Sequence, residues 1–360
     1  MTFNIVLLPG DGVGPEVTTA ARAVLEAVGR RFGHEFRFQE ALIGGAAIDA
    51  QGNPLPDEAR AACLAADAVF LGAVGGPKWD GGTMRPEQGL LGIRKAMGLF
   101  ANLRPVKVDA ALAHRSPLKT EAVVGADLLI VRELIGGIYF GKRQRDGDTA
   151  SDLCTYSVPE IEQVAVVAFE AARGRRGKVA SIDKANVLET SRLWRETVTR
   201  LQRERYPDVQ LEHGLVDSAA MRLITHPREY DAVLTENMFG DILSDEASVL
   251  AGSIGLLGSA SLGASGPGLF EPIHGSAPDI AGQDKANPIG AIRAAAMLLR
   301  HGLKLAEETE AVEAAVVNAI EAGEVTGDLG GEFRCRACAE RIAERVARAE
   351  DGGARSARIA

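Results

Sequence analysis

Asp241 and Asp245, in Phe239-Gly-Asp-Ile-Leu-Ser-Asp245, stand four residues apart. On a helix that spacing stacks them on one face. Carboxylates so close repel each other, and a hard divalent cation with oxygen ligands would relieve the repulsion. The plain alternative is a pair of acids favoured by the dipole at the start of a helix. The preceding run Tyr230-Asp-Ala-Val-Leu234 weighs against that alternative. It reads as a short buried strand that delivers both acids at its carboxyl end, where open α/β sheets hold ligands. Arg132, Lys184 and Asp217 recur in the same kind of place, at the ends of candidate strands over 127–131, 178–182 and 209–216. A lone charge there is usually a salt-bridge partner, but the set of four points to one crevice.

Other segments must position this set. Ile5 to Leu8 predicts a strand, followed by the glycine loop Pro9-Gly-Asp-Gly-Val-Gly-Pro15 and a helix with Pro15 in its first turn. Pro15 stands where G-x-G-x-x-G needs its third glycine, so the loop does not read as a Rossmann site. A strand at 68–71 opens the long loop 72–86, in which Trp79 among glycines suggests an ordered flap. The next helix places Glu87, Leu90, Leu91 and Arg94 within a wedge of about 100°. That face suits either a pocket for a branched alkyl group beside a carboxylate, or core leucines with a snorkelling arginine. Residues 101–105 are extended before Pro105. Tyr139 lies among glycines in Gly136-Gly-Ile-Tyr-Phe-Gly141, more exposed than a core tyrosine needs. Residues 142–156 are polar and turn-rich, as in a projecting arm or a mobile loop, and a helix beyond 184 is expected to carry Val187 and Leu188. Glu271-Pro-Ile-His-Gly-Ser-Ala-Pro-Asp-Ile-Ala-Gly282 is a loop built for close backbone approach. Residues 351–360 are expected to fray.

The 360 residues suggest two domains, or one with a large excursion. A hydrophobic fraction of 46% and a charged fraction of 25% are those of a globular protein, and 41 glycines imply many tight turns. The net charge of −9 argues against a nucleic-acid surface, so an anionic substrate needs local arginines or a metal. Neither a secretory leader nor a membrane-length apolar run is apparent, and a cytoplasmic location is expected. Cys335-x-x-Cys338 could be a redox or zinc half-site, but without a second pair or a nearby histidine it reads as surface or partly buried thiols.

Several of these stretches together spell a family. Leu8-Pro-Gly-Asp-Gly-Val-Gly-Pro-Glu16, residues 87–107, Gly136 to Gly141, Asp183-Lys-Ala-Asn-Val187, Asn237 to Asp245 and residues 271–287 resemble the 3-isopropylmalate dehydrogenases. These are the leucine-biosynthesis branch of the β-decarboxylating isocitrate/isopropylmalate dehydrogenases. The resemblance covers about residues 3 to 331. It implies an α/β fold of two domains with a large mixed sheet, distinct from Rossmann. An NAD-binding domain would span 1–100 plus 253–360. A dimerisation and substrate/metal domain would span 101–252, with an arm near 142–157. It further implies a homodimer with sites shared between subunits.

The resemblance also assigns residues. Arg94, Arg104 and Arg132 would hold the malate carboxylates as bidentate forks. Asp241 and Asp245 would bind Mg²⁺ or Mn²⁺ with Asp217 from the other subunit. Lys184, also from that subunit, would be the base, and Tyr139 the acid. Glu87, Leu90, Leu91 and the other subunit's Val187 would read the isopropyl group. NAD would lie against Gly75, Gly76, Pro77, Lys78 and Glu87, and against His274, Gly275, Ser276, Ala277, Pro278, Asp279, Ile280, Ala281, Gly282 and Asn287. Asp279 would hold the adenosine ribose hydroxyls and repel a 2′-phosphate, which favours NAD over NADP. The expected reaction is oxidative decarboxylation of 3-isopropylmalate to 2-oxoisocaproate. Relatives acting on homoisocitrate, isocitrate or tartrate are the alternative, but Leu90 and Leu91 would leave a γ-carboxylate unpaired.

Overall fold

In the computed structural model, residues 1–348 are described. The expected fraying of 351–360 lies outside them. The chain forms two compact units. The first comprises Met1–Met97, Gly255–Ala260 and the chain from Gly266 onward, and the second Gly98–Ile254 with Ser261–Ser265.

In chain order the first unit begins with β1 (Thr2–Gly10), α1 (Gly14–Phe32), β2 (Glu35–Glu40), α2 (Gly44–Gln51), α3 (Asp57–Ala65), β3 (Ala68–Ala73) and α4 (Glu87–Ala96). The second unit holds β4 (Leu99–Lys107), α5 (Thr120–Val123), β5 (Asp127–Glu133), β6 (Arg143–Asp146), β7 (Thr149–Asp152), α6 (Val158–Arg173), β8 (Lys178–Asp183), α7 (Glu189–Arg205), β9 (Gln210–Leu215), α8 (Val216–Thr225), β10 (Ala232–Thr235) and α9 (Asn237–Ser248). The chain then runs through β11 (Gly258–Gly263), β12 (Leu269–Pro272), α10 (Ile289–Met297), α11 (Ala306–Glu321) and α12 (Cys335–Arg348).

In the first unit β2, β1, β3 and β12 are neighbours in that order and parallel. β3 is buried along its whole length, as a parallel strand covered on both faces must be. Its core is aliphatic and alanine-rich, with α1 and α10 buried along Val17, Val24, Leu25, Ile292 and Ala295. In the second unit the order is β4-β5-β10-β8-β9. β4 is antiparallel to β5, while β5, β10, β8 and β9 run parallel, so the sheet is mixed. That parallel run places the carboxyl ends of β5, β10, β8 and β9 along one edge, where the candidate residues start.

Three local expectations are corrected. Val187 and Leu188 do not lie in a helix. They close a turn in which both their N–H groups donate to Lys184 O, and α7 starts only at Glu189. The strand expected over 209–216 spans Gln210–Leu215, so Val216 opens α8 instead of ending the strand, and Asp217 lies in that helix's first turn. Cys335 and Cys338 are free but fully buried in α12, where the helix packs on α1 and α11. Of the two readings of 142–156, the arm is what forms: β6 and β7 pair as an antiparallel hairpin with all eight strand residues exposed.

Candidate active site

In the second unit, Arg132 sits near the end of β5, opposite Thr235 of β10 and Asn102 of β4. It is buried. Its Nε and Nη2 donate to Asn237 Oδ1 at 3.3 and 2.9 Å, and its Nη1 pairs with Asp241 Oδ1. Helix α9 approaches this closely only because residue 240 is glycine. A Cβ there would lie 2.6 Å from Arg132 Cγ. Glu236 caps the helix by accepting from Phe239 N. One turn on, Asp241 and Asp245 share a face, as their spacing implies, and the buried Arg104 reaches both. Its Nη2 is 3.6 Å from Asp241 Oδ1 and its Nη1 3.4 Å from Asp245 Oδ1. Asn102 Oδ1 and Ser244 Oγ hold the same guanidinium at 2.7 and 2.6 Å.

Tyr139 completes this group. It ends the tight turn Gly137–Tyr139, where Gly137 takes φ +71°, a region glycine enters without strain. Its hydroxyl donates to Asp241 Oδ2 at 3.0 Å, and its ring lies 5.7 Å from the Arg132 guanidinium carbon. Burial, then the charge of Asp241, raises the phenol above its usual pKa, so it stays protonated and can donate. Asp245 is also raised by burial, with Asp241 adding and Arg104 opposing.

Lys184 and Asp217 pair with each other, Nζ to Oδ1 at 2.6 Å, rather than with Asp241 or Asp245. The hydrogen bond from Lys184 lowers the Asp217 pKa. Buried Asp183 presents them: it accepts from Ala185 N at 2.9 Å and is clamped by Arg195, and Ser191 Oγ accepts from Lys184 N at 3.1 Å. Val187 is 60% exposed on the same turn.

In the first unit, α4 carries Glu87 exposed, Leu90 and Leu91 half-buried and Arg94 buried. Arg94 is already held by Glu271 at 2.7 Å, and its buried Nε has no partner. The flap before α4 is pinned: Asp49 accepts from Lys78 Nζ at 2.6 Å and from Trp79 Nε1 at 3.2 Å. Gly75 and Gly76 adopt φ +114° and +155°, open to glycine alone at little cost.

The glycine loop at residue 10 also finds its purpose here. Asp11 is buried and accepts N–H bonds from Gly45, Ala46 and Gly75 at 2.7–2.9 Å, while Val13 N donates to Ser276 O at 2.8 Å. It latches the flap and the 274–282 loop. On the latter loop Asp279 and Gly275 are exposed, and Gly282 N donates to Glu16. Asn287, by contrast, spends both ends internally, accepting from Ile289 N and donating to Asp328 Oδ2.

The donor sets fit the groups the motifs imply. Asp241 and Asp245 offer hard oxygens on one face, with side chains 34% and 65% exposed, as a divalent cation needs. His274 Nε2 is a buried atom without a partner while its Nδ1 contacts Gly275 O, which suits a polar ligand such as a nucleotide. The supporting residues Glu133, Asn237, Tyr156, Ser244, Glu271 and Asp49 escaped the sequence reading. Only the adjacency of Glu133 to Arg132 hinted at one of them, since strand alternation puts it on the opposite face.

Comparison with known proteins follows the same residues. The model of the family "Isocitrate/isopropylmalate dehydrogenase" matches residues 4–346. The chain belongs to that family. Among curated relatives, the 3-isopropylmalate dehydrogenase of Anaeromyxobacter dehalogenans (strain 2CP-C) is 57% identical over 354 residues, 96% of this chain and 100% of that one. That of Priestia megaterium (strain DSM 319) is 58% identical over 336 residues, 91% of each. A crystal structure of isocitrate dehydrogenase from Methylococcus capsulatus superposes with a TM-score of 0.86 at 35% identity, covering 96% of this chain and 99% of the other. A β-decarboxylating dehydrogenase from Thermococcus kodakarensis, in apo form, gives 0.79 at 36% identity over 96% of both. The family fold is α/β with a mixed sheet, and its members are oxidoreductases whose decarboxylation depends on a metal. Among the described residues no helix is long and apolar enough to cross a membrane.

Proposed function

We propose that this enzyme oxidatively decarboxylates (2R,3S)-3-isopropylmalate to 2-oxoisocaproate and CO₂, using NAD⁺, in leucine biosynthesis. The carrying observation is the convergence of Arg104, Arg132, Tyr139, Asp241 and Asp245 in one unit. Both nearby relatives described above bear the matching name.

Arg104 and Arg132 take the malate carboxylates, with Arg94 as the third cation. Their guanidinium planes are preset by Asn102, Ser244 and Asn237, so little rotamer entropy is lost on binding. Mg²⁺ or Mn²⁺ would be held by Asp241, Asp245 and the partner subunit's Asp217, and when bound supplies the positive charge that makes C–C cleavage possible. Lys184 of the partner subunit removes the C2 hydroxyl proton. NAD⁺, when bound, would supply the acceptor for the C2 hydride. After CO₂ departs, Tyr139, whose hydroxyl points at Asp241 Oδ2, delivers a proton to C3. Leu90, Leu91, Glu87 and the partner subunit's Val187 read the alkyl group. NAD would be held by Gly75, Gly76, Pro77, Lys78 and Glu87 and by the 274–282 loop with Asn287, where Asp279 would accept from the ribose hydroxyls.

A homodimer is supported by the second unit's surface. Met221 on α8, Ile242 on α9, Val249 just beyond it, and Val187 are exposed apolar residues. A lone two-stranded hairpin such as β6-β7 is also marginal without a partner.

The deciding experiment compares NADH formation on isopropylmalate, homoisocitrate, isocitrate and tartrate with Mg²⁺, then after EDTA. The assignment requires isopropylmalate to lead by kcat/KM and activity to return with metal. A higher rate on homoisocitrate would overturn it.

A further inference from the structure

Behind Tyr139 lies a buried polar circuit of which the steps above use only the Arg132–Asn237 end. Glu133 follows Arg132 on β5, is 0% exposed, and faces away from Asp241. Its Oε1 accepts from Ile135 N at 2.7 Å and Gly136 N at 3.0 Å. Its Oε2 accepts from Gly136 N at 2.9 Å and from the Tyr156 hydroxyl at 3.1 Å. That hydroxyl accepts in turn from Asn237 N at 3.1 Å. The Asn237 side chain then divides: Nδ2 donates to Gly136 O at 3.2 Å, and Oδ1 accepts from the Arg132 fork. The circuit therefore leaves β5 one residue after Arg132 and returns to the Arg132 guanidinium. On the way it grips Gly136 by both N–H and carbonyl, at the start of the turn that lifts Tyr139.

Nothing in this circuit is loose. A Cβ on Gly136 would lie 2.6 Å from the Tyr156 ring, and one on Gly137 2.5 Å from the Tyr156 hydroxyl. The Tyr156 ring packs edge-on to buried Trp194 at 5.6 Å. All the groups facing Glu133 in these bonds are donors; burial pushes its carboxyl up to about 7 against their pull, and the ionised form, an acceptor-only group, is the one they match. An amide there would turn an N–H toward a donor, leaving buried groups unpaired.

We propose that Glu133 is a positioning residue. Its carboxylate holds the Tyr139 turn directly and orients the Arg132 fork through Tyr156 and Asn237. One buried group thereby sets both proton delivery and carboxylate recognition. The inference rests on the roles proposed for Tyr139 and Arg132, and its test separates the two.

The test measures kcat and KM for the full-length enzyme and for Glu133→Gln, Tyr156→Phe, Tyr139→Phe and Tyr139→Phe/Glu133→Gln. Glu133→Gln should lower kcat about tenfold to a hundredfold, the scale of a small misplacement of a reacting group. Tyr156→Phe keeps the backbone anchors but cuts the branch to Asn237, so it should raise the hydroxy-acid KM several-fold with a smaller change in kcat. In the Tyr139→Phe background, Glu133→Gln should cost less than about twofold further in kcat, because the proton donor it positions is gone, while its rise in the hydroxy-acid KM through Arg132 should persist. Equal kcat losses in both backgrounds would make Glu133 merely structural and overturn the proposal. So would a Tyr156→Phe enzyme with wild-type KM, which tests the circuit even if Glu133→Gln does not fold. Tyr139→Phe with unchanged kcat would instead remove the Tyr139 assignment, and the proposal with it.

Discussion

Arg104 shows how much one side chain can be asked to do. It spans Asp241 and Asp245 while Asn102 and Ser244 fix its plane. A lysine keeps the charge but loses the fork that these partners define. Arg104→Lys should therefore raise the hydroxy-acid KM by about tenfold or more at near-native stability, read by initial rates and a melting curve. His301 gives a residue-scale test of stability instead. Burial, then Arg300 and Lys304, depresses it to about 4. The sign follows from linkage: the fold keeps His301 neutral, so its contribution is present above pH 6.5 and is lost as pH falls toward 4. His301→Gln should flatten the pH dependence of urea-unfolding free energy in that window by up to about one proton. An unchanged slope would mean that His301 already titrates normally. At this scale the sequence disclosed charged residues at strand ends, because polar groups there break an apolar pattern. It did not disclose Glu133, Asn237 or Tyr156, whose importance lies in contacts more than twenty residues apart in several cases. Nor did it disclose Glu271 as the partner of Arg94.

The elements that hold these residues were legible where periodicity or punctuation is strong. The run before Asp241 became β10 and the Asp241–Asp245 spacing became one face of α9. The turn at 185–188 was not legible, because its apolar Val187 and Leu188 look like the start of α7. The bonds that make the turn, from Ala185 N to the Asp183 carboxylate and from Val187 N and Leu188 N to Lys184 O, leave no mark in composition. The glycine loop after β1 was correctly separated from a Rossmann motif, yet its purpose appeared only with Asp11 and Ser276. Gly12 has φ +59°, and a Cβ would lie 1.9 Å from Ser276 O. Gly12→Ala must strain the backbone and push the 274–282 loop. The expected outcome is a dinucleotide KM raised about tenfold and a melting temperature lowered by a few degrees. The hydroxy-acid KM should move far less. Helix α12 carries a second element-scale test. Burial pushes Cys335 and Cys338 each up to about 12, with Asp284 and Asp328 respectively adding to the effect. Thiolate is the reactive form, so neither should react with a disulfide reagent at pH 8 until the chain unfolds. Rapid native-state labelling at either position, mapped by peptide mass, would contradict the packing of α12 on α1.

At the scale of the whole molecule, one chain carries its candidate groups as two separately paired sets. Tyr139, Arg132, Arg104, Asp241 and Asp245 form one set, and Lys184 with Asp217 the other. If both sets serve one reaction, two-fold symmetry offers a direct solution. Each copy gives Lys184 and Asp217 to its partner and receives the partner's in return. That arrangement makes a prediction that a self-sufficient chain does not. Tyr139→Phe and Lys184→Ala homodimers should each be nearly inactive. Unfolding and refolding them together should give half heterodimers, in each of which one site is doubly broken and the other fully native. Activity should then return to about a quarter of the wild-type value per chain, from symmetry alone. Mixing Lys184→Ala with Asp217→Ala should restore nothing, since both losses fall on the contributed set and each site lacks one. Recovery in the second mixture but not the first would place Lys184 and Asp217 in different sites and refute the shared centre. An apolar surface with Met221, Ile242 and Val249 exposed is where the copies should meet. A charge placed at Met221 should therefore separate them, and activity should fall in step with the dimer fraction seen by sedimentation.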